Sequence, residues 1–186
     1  LFRGQPNGAF VQMLSPFPTN LAPVASWGDY NWDGRLDLAL STLVSGQNTV
    51  GLYRNDAMIA NTLPLPPSTV AAFAGVNCVT FQWTAGSDGQ TPTSTLTYAL
   101  RIGRSPGTND VLTPDAGTSG TRRVARPGNA GSGRSLTITN LPFGSYYWAV
   151  QSVDSAFAGS SFTPERVFAY AAATLPPTSI TSSEAI

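Results

Sequence analysis

The sequence contains neither lysine nor histidine; all ten of its basic residues are arginine. Without an imidazole there is no histidine general base, no Ser-His-Asp triad and no histidine-bound zinc, and without an ε-amine there is no Schiff base. Charged residues make up only 11% of the chain and balance to a formal net charge of zero. No long-range field would draw such a chain to nucleic acid or to an anionic membrane surface, so neither is expected as a partner. No apolar run approaches the roughly 20 residues that span a bilayer, and membrane insertion is not expected either. One cysteine, Cys78, excludes an internal disulfide, and no Asn-X-Ser/Thr acceptor occurs. The N-terminus lacks a basic stretch followed by a signal-like apolar run, so Leu1 reads as a mature or cut end.

What is plentiful is turn-forming sequence, with 18 Gly and 15 Pro spread through the chain beside a hydrophobic fraction of 41%. That balance predicts an all-β protein of short strands joined by turns. No amphipathic helix is apparent. A length of 186 residues suits two small domains. Leu65-Pro66-Pro67 is the natural divide, because consecutive prolines lack amide donors and hold the backbone extended. The expected organisation is residues 1–62, residues 66–170, and a Pro/Ser/Thr-rich extended tail over residues 171–186, where Leu175-Pro176-Pro177 echoes the first divide.

After the divide, apolar residues alternate as half-buried strands require. Val79, Phe81 and Trp83 share a face, as do Tyr98, Leu100 and Ile102, and then Tyr146, Trp148 and Val150. Trp83, Tyr98 and Trp148 therefore read as core aromatics. Cys78 falls on the face opposite Val79 and Phe81 and reads as an inert thiol. Arg122, Arg123, Arg126 and Arg134 read as a solvated loop with nearby carboxylate partners, an anionic glycan being the alternative.

The chemistry of the first part lies in Asp29-Tyr30-Asn31-Trp32-Asp33-Gly34-Arg35-Leu36-Asp37, which places oxygen-bearing side chains at loop positions 1, 3, 5 and 9 and glycine at 6. A hard cation such as Ca2+ takes six to eight oxygens at about 2.3 to 2.6 Å, so a short loop must turn sharply around it, and glycine permits the turn. Asp29, Asn31, Asp33 and Asp37 would coordinate by side chain, with the carbonyl of Arg35 as a fifth ligand. Mutual repulsion of three carboxylates would be relieved by the ion. Magnesium suits the loop less, since its tighter octahedral shell retains several waters. The alternative is a solvated, Asx-rich turn with no metal. Tyr30 and Trp32 lie between ligand positions, point away from the ion, and are candidate partner contacts.

A helical EF-hand would have glutamate at loop position 12, where Leu40 stands. Pro23 to Trp27 and Leu36 to Leu40 instead alternate like strands, so the loop joins two strands of a sheet. The string from Ala25 to Leu38, closed by Leu52-Tyr53-Arg54-Asn55-Asp56, resembles an FG-GAP (VCBS-type) repeat of bacterial surface proteins and integrin propellers. The resemblance covers roughly residues 1–56 and implies a propeller-blade-like β unit holding Ca2+ through Asp29, Asn31, Asp33 and Asp37. It also makes Leu1-Phe2-Arg3-Gly4 and Leu52-Tyr53-Arg54-Asn55 corresponding parts of a repeat. Residues 66–170 resemble a fibronectin type III domain, an Ig-like β-sandwich, with Trp83 as the core tryptophan and Leu141-Pro142-Phe143-Gly144-Ser145-Tyr146 as the tyrosine corner.

Together these resemblances imply a secreted or cell-surface, non-enzymatic module: calcium-stabilised, structural or adhesive, and in one version the subunit of a filament. The alternative is an accessory module of a larger secreted protein that binds carbohydrate or protein. A lone blade leaves sheet edges and faces unburied, so Leu1–Arg3 or Thr178–Ile186 is expected to contact other protein, further copies of the chain included.

Overall fold

The computed structural model describes residues 2–5, 7–12, 24–31, 33–44, 46–122 and 124–171. Leu1, Trp32, Arg123 and everything from residue 172 lie outside the described residues, and with them the contacts expected of Trp32, Leu1 and Thr178–Ile186. Regular structure among the described residues is all-β, apart from one 3-10 turn at Thr93–Thr95. No described helix is long and apolar enough to cross a membrane. The chain divides into two compact units, Leu1–Asn61 and Thr62–Ile186.

In the first unit, β1 (Phe2–Gly4) and β2 (Phe10–Gln12) form an antiparallel hairpin. A second antiparallel sheet has the order β3 (Ala25–Gly28), β4 (Asp37–Val44), β5 (Gln47–Tyr53). Alternation along Asp37-Leu38-Ala39-Leu40 puts the two leucines on one face, in rows with Trp27 and Tyr53 and with Ala25 and Gly51. Leu38 and Leu40 are the only buried hydrophobic side chains of this unit among the described residues. On the other face Ser26, Ala39 and Leu52 form a row, and Leu52 and Val50 are exposed.

The second unit carries β6 (Val70–Gly75), β7 (Cys78–Trp83), β8 (Thr97–Gly103), β9 (Ser135–Thr139), β10 (Gly144–Val153) and β11 (Arg166–Tyr170). They form two antiparallel sheets, β6-β7-β9 and β11-β10-β8. Inward-facing Val79, Phe81 and Trp83 from one sheet meet Tyr98, Leu100, Ile102, Tyr146, Trp148 and Val150 from the other in a single buried cluster. Phe81 meets Trp148 edge-on at 4.9 Å between ring centroids, and Trp83 meets Tyr98 at 5.6 Å. Such pairs add directional attraction to the burial of large apolar area. The Tyr146 hydroxyl donates to the Pro142 carbonyl at 2.6 Å, four residues upstream, and fixes the turn into β10.

Three features depart from the alternation pattern and its expected linker. β8 and β10 are buried on both faces, not one: Ala99, Arg101, Ala149 and Gln151 of the outward row are covered. Small outward side chains leave room for the loops that follow β8 and β10, and the polar ones bond to them. The Gln151 amide donates to the carbonyls of Gly120 and Ser160, and a Cβ on Gly159 would stand 2.2 Å from that amide nitrogen, so only glycine fits. The loop after β8 also closes that strand's free edge, because Asn129 bonds both the N–H and the carbonyl of Leu100, while Ala130 and Gly131 bond Tyr98. Finally, the segment expected as a linker is fastened to the sandwich. Leu65 pairs with Ser87 through backbone bonds of 2.7 and 3.4 Å, and Thr62 donates its N–H and hydroxyl to Gln90.

The arginine-rich loop divides in the same way. Arg126 lies 3.7 Å from Asp115, a carboxylate partner of the expected kind. Arg122 is not a solvated charge: its guanidinium donates to the carbonyls of Phe157 and Arg126, and burial pulls its pKa down. Cys78 is partly exposed on the face opposite Val79 and Phe81.

Candidate metal centre

The loop from Asp29 to Leu36 connects β3 to β4, whose pairing begins at Gly28 and Asp37, so the first and last acidic residues stand at the two sides of a strand junction. Gly34 adopts a φ of +80°, the left-handed conformation that side chains disfavour, and it reverses the chain where the sequence required a turn.

The side chains of Asp29, Asn31, Asp33 and Arg35 bond to the loop itself. Asp29 accepts the Asp33 N–H at 3.1 Å through Oδ1 and the Gly34 N–H at 2.9 Å through Oδ2. The Asn31 carbonyl oxygen accepts the Asp33 N–H at 3.2 Å, and its amide nitrogen donates to Asp33 Oδ2 at 3.0 Å. Asp33 Oδ1 accepts the Arg35 N–H at 2.9 Å, while Oδ2 pairs with the Arg35 guanidinium at 3.1 Å. Burial pushes the Asp33 carboxyl up, but these bonds from Asn31 and Arg35 outweigh it and hold the group below the usual carboxylate range.

Asp37 differs from the others in being buried, at 1% exposure. Its Oδ2 accepts the Tyr30 N–H at 3.2 Å and its Oδ1 accepts the Asn55 N–H at 2.7 Å. Asn55, just beyond β5, also donates its side-chain amide to the Leu36 carbonyl at 3.2 Å. It ties the loop to the third strand from outside the acidic run. Sequence reading named Asn55 only as part of the closing Leu-Tyr-Arg-Asn string and gave it no role; its distance from the loop hid the contact. Tyr30 has a half-exposed side chain.

The structure thus gathers the five candidate ligand residues into one hairpin loop, in the hydrogen-bonded form of an Asx-rich turn. Among the described residues no three carboxylates converge closely enough to hold an ion. The donor set nevertheless fits a hard cation. It is all oxygen, the Arg35 carbonyl accepts no hydrogen bond from a described residue, and a carboxylate has about four lone-pair sites, so one amide per oxygen does not exhaust it. Arg35 is the competitor, since its guanidinium occupies the Asp33 oxygen that an ion would need. No protein-family model and no curated protein matches the chain.

Proposed function

We propose that the first unit is a calcium-stabilised, non-catalytic module of a secreted or cell-surface protein, with the sandwich as its spacer or contact domain. The observation that carries this reading is the loop itself: Asp29, Asn31, Asp33 and Asp37 ranged about a left-handed Gly34 in a strand-to-strand connection. The bound ion would supply positive charge to three carboxylates and no reaction. Asp29, Asn31, Asp33, Asp37 and the Arg35 carbonyl would hold it, and Arg35 would release Asp33 to do so. Because the oxygen cage exists only in the folded loop, binding stabilises the fold by mass action, about 2.7 kcal/mol when the ion stands at 100 times its dissociation constant. Among the described residues the first unit buries two leucines against the sandwich's large aromatic cluster, so it has more use for that stabilisation.

Two observations support the wider architecture. The strand orders β6-β7-β9 and β11-β10-β8, with the Tyr146 to Pro142 bond, suit a fibronectin type III-like sandwich. The exposed Val50 and Leu52 offer the blade-like sheet an apolar face for contact with other protein, further copies included. The test is a thermal melt of protein shown by elemental analysis to be metal-free, repeated with CaCl2 and with MgCl2. Calcium is expected to raise the first unit's transition alone, magnesium to raise it less, and Asp29→Asn with Asp33→Asn to remove the response. A melt that calcium leaves unchanged, with no heat of binding by titration calorimetry, would sink the reading.

A further inference from the structure

We infer that the outward face of the sheet β6-β7-β9 binds a neutral oligosaccharide, with Phe73 as the platform for one sugar ring. The strand register builds that face in three rows, Ala71-Gln82-Ser135, Phe73-Thr80-Thr137 and Gly75-Cys78-Thr139. Val79 and Phe81 alternate with these residues along β7 and enter the buried cluster, so the three rows lie on the side away from the core. Phe73, Gln82, Ser135, Thr137 and Thr139 are exposed there. No residue of the three rows is charged. The flanks are uncharged as well: Ser68 and Thr84 share a hydroxyl bond of 3.1 Å at one end, and Asn77 donates to Asn140 at 2.7 Å at the other.

The chemistry of the rows matches a sugar. Phe73 is 53% exposed, and its neighbours on that face of β6 are Ala71 and Gly75, so nothing bulky stands beside the ring on its own strand. One face of a sugar ring is made of C–H groups, whose positive edges suit the negative face of an aromatic ring. Next to Phe73 across the sheet, the hydroxyls of Thr80 and Thr137 lie 2.9 Å apart. The side chains of Gln82, Ser135 and Thr139 have no hydrogen-bond partner among the described residues. Hydroxyls and a primary amide both donate and accept, as sugar hydroxyls do, and in the Thr80–Thr137 pair the accepting hydroxyl keeps its own proton free. An ionised side chain only donates or only accepts, and it favours a partner of opposite charge; a face without one suits a neutral partner.

Size separates a sugar from a second protein. In outline the rows cover roughly 14 Å across the strands and about 17 Å along them, on the order of 240 Å², whereas each side of a standard protein interface buries about 800 Å². Phe73 is the one large apolar side chain in that area, and the core of a protein interface gathers several. A short oligosaccharide needs no more than this. The platform is also rigid, because Val79, Phe81 and Trp83 anchor β7 in the core directly behind it, and a surface already in its bound shape loses little ordering entropy on binding. The assignment stands independently of the metal loop, which lies in the other unit.

The experiment titrates the full chain, labelled with 15N, with cellotetraose, maltotetraose and mannotetraose, and with tetragalacturonate as the charged counterpart. At least one neutral sugar is expected to give saturable shifts at the amides of Phe73, Thr80, Gln82 and Thr137, with tetragalacturonate binding about fivefold more weakly or worse. Phe73→Ala should weaken binding about tenfold or more, Phe73→Trp should keep or tighten it, and Thr137→Val should weaken it severalfold. The assignment is overturned by no saturable shift with any of the three neutral sugars, by shifts confined to other amides, or by an equal response to tetragalacturonate. It is overturned too by concentration-dependent shifts at these amides without sugar, which would mark the face as a contact between copies. Comparing neutral with charged sugar needs no variant and so does not depend on how a variant folds.

Discussion

The two units solve the same problem by different means. In the second, two sheets bury a continuous cluster centred on Phe81, Tyr98, Tyr146 and Trp148. In the first, two leucines are buried among the described residues, and carboxylates accept backbone amides around one loop. Apolar burial is non-directional and scales with area, whereas a hydrogen-bonded loop contributes about 1 kcal/mol per bond and fails when one acceptor is lost. The sandwich should therefore resist changes of solvent composition that the first unit feels strongly.

The largest expected effect lies in the sandwich. Phe81→Ala leaves a cavity beneath Trp148 and Phe168 and should cost about 3 to 5 kcal/mol. In a urea titration the second unit's transition should move to lower denaturant while the first unit's stays in place; movement of both would mean that the units do not unfold independently. Asp37→Ala comes next. It strands the amides of Tyr30 and Asn55, and hydrogen bonds to a buried charged group are worth about 1.5 to 3 kcal/mol. Hydrogen exchange at those two amides should accelerate with the sandwich unaffected.

The smallest effect is that of acid. The Asp33 pKa is depressed in the folded protein, so its contribution is present above the unfolded value near 3.9 and is lost as pH falls through the folded value. Melts between about pH 5 and pH 2 should show that loss. Asn substituted for Asp33 should flatten it, and an unchanged profile would remove Asp33 from the account.

Much of the sandwich was legible because alternation reports burial directly: Val79, Phe81 and Trp83 are inward and buried, as are Tyr98 and Trp148. The outer covering of β8 and β10 was not. Its residues, Gly120, Asn129, Gly159 and their neighbours, lie in loops without period, where one side chain such as Asn129 stands in for a strand. In the first unit the acidic spacing and Gly34 marked the loop, since a sharp turn demands both. Asn55 escaped because a contact across 18 residues has no local signature. Arg122 escaped for a related reason: its acceptors are carbonyls, which every residue carries and no sequence distinguishes.

The clasp of Leu65 on Ser87 has a mechanical consequence. Thr62 and Leu65 fasten the start of the second unit to its sandwich through a few backbone and side-chain bonds to Gln90 and Ser87. Pro66 and Pro67 donate nothing, so the load cannot pass smoothly into a longer ladder. A load on this segment should break those few bonds before the longer ladders of the core strands, freeing at most the six residues from Thr62 to Pro67, whose full extension is roughly 20 Å at about 3.3 Å per residue. Because the broken bonds are hydrogen bonds of the native fold, the same contacts should re-form on release, which a force-clamp cycle on the full chain would read as a small reversible step.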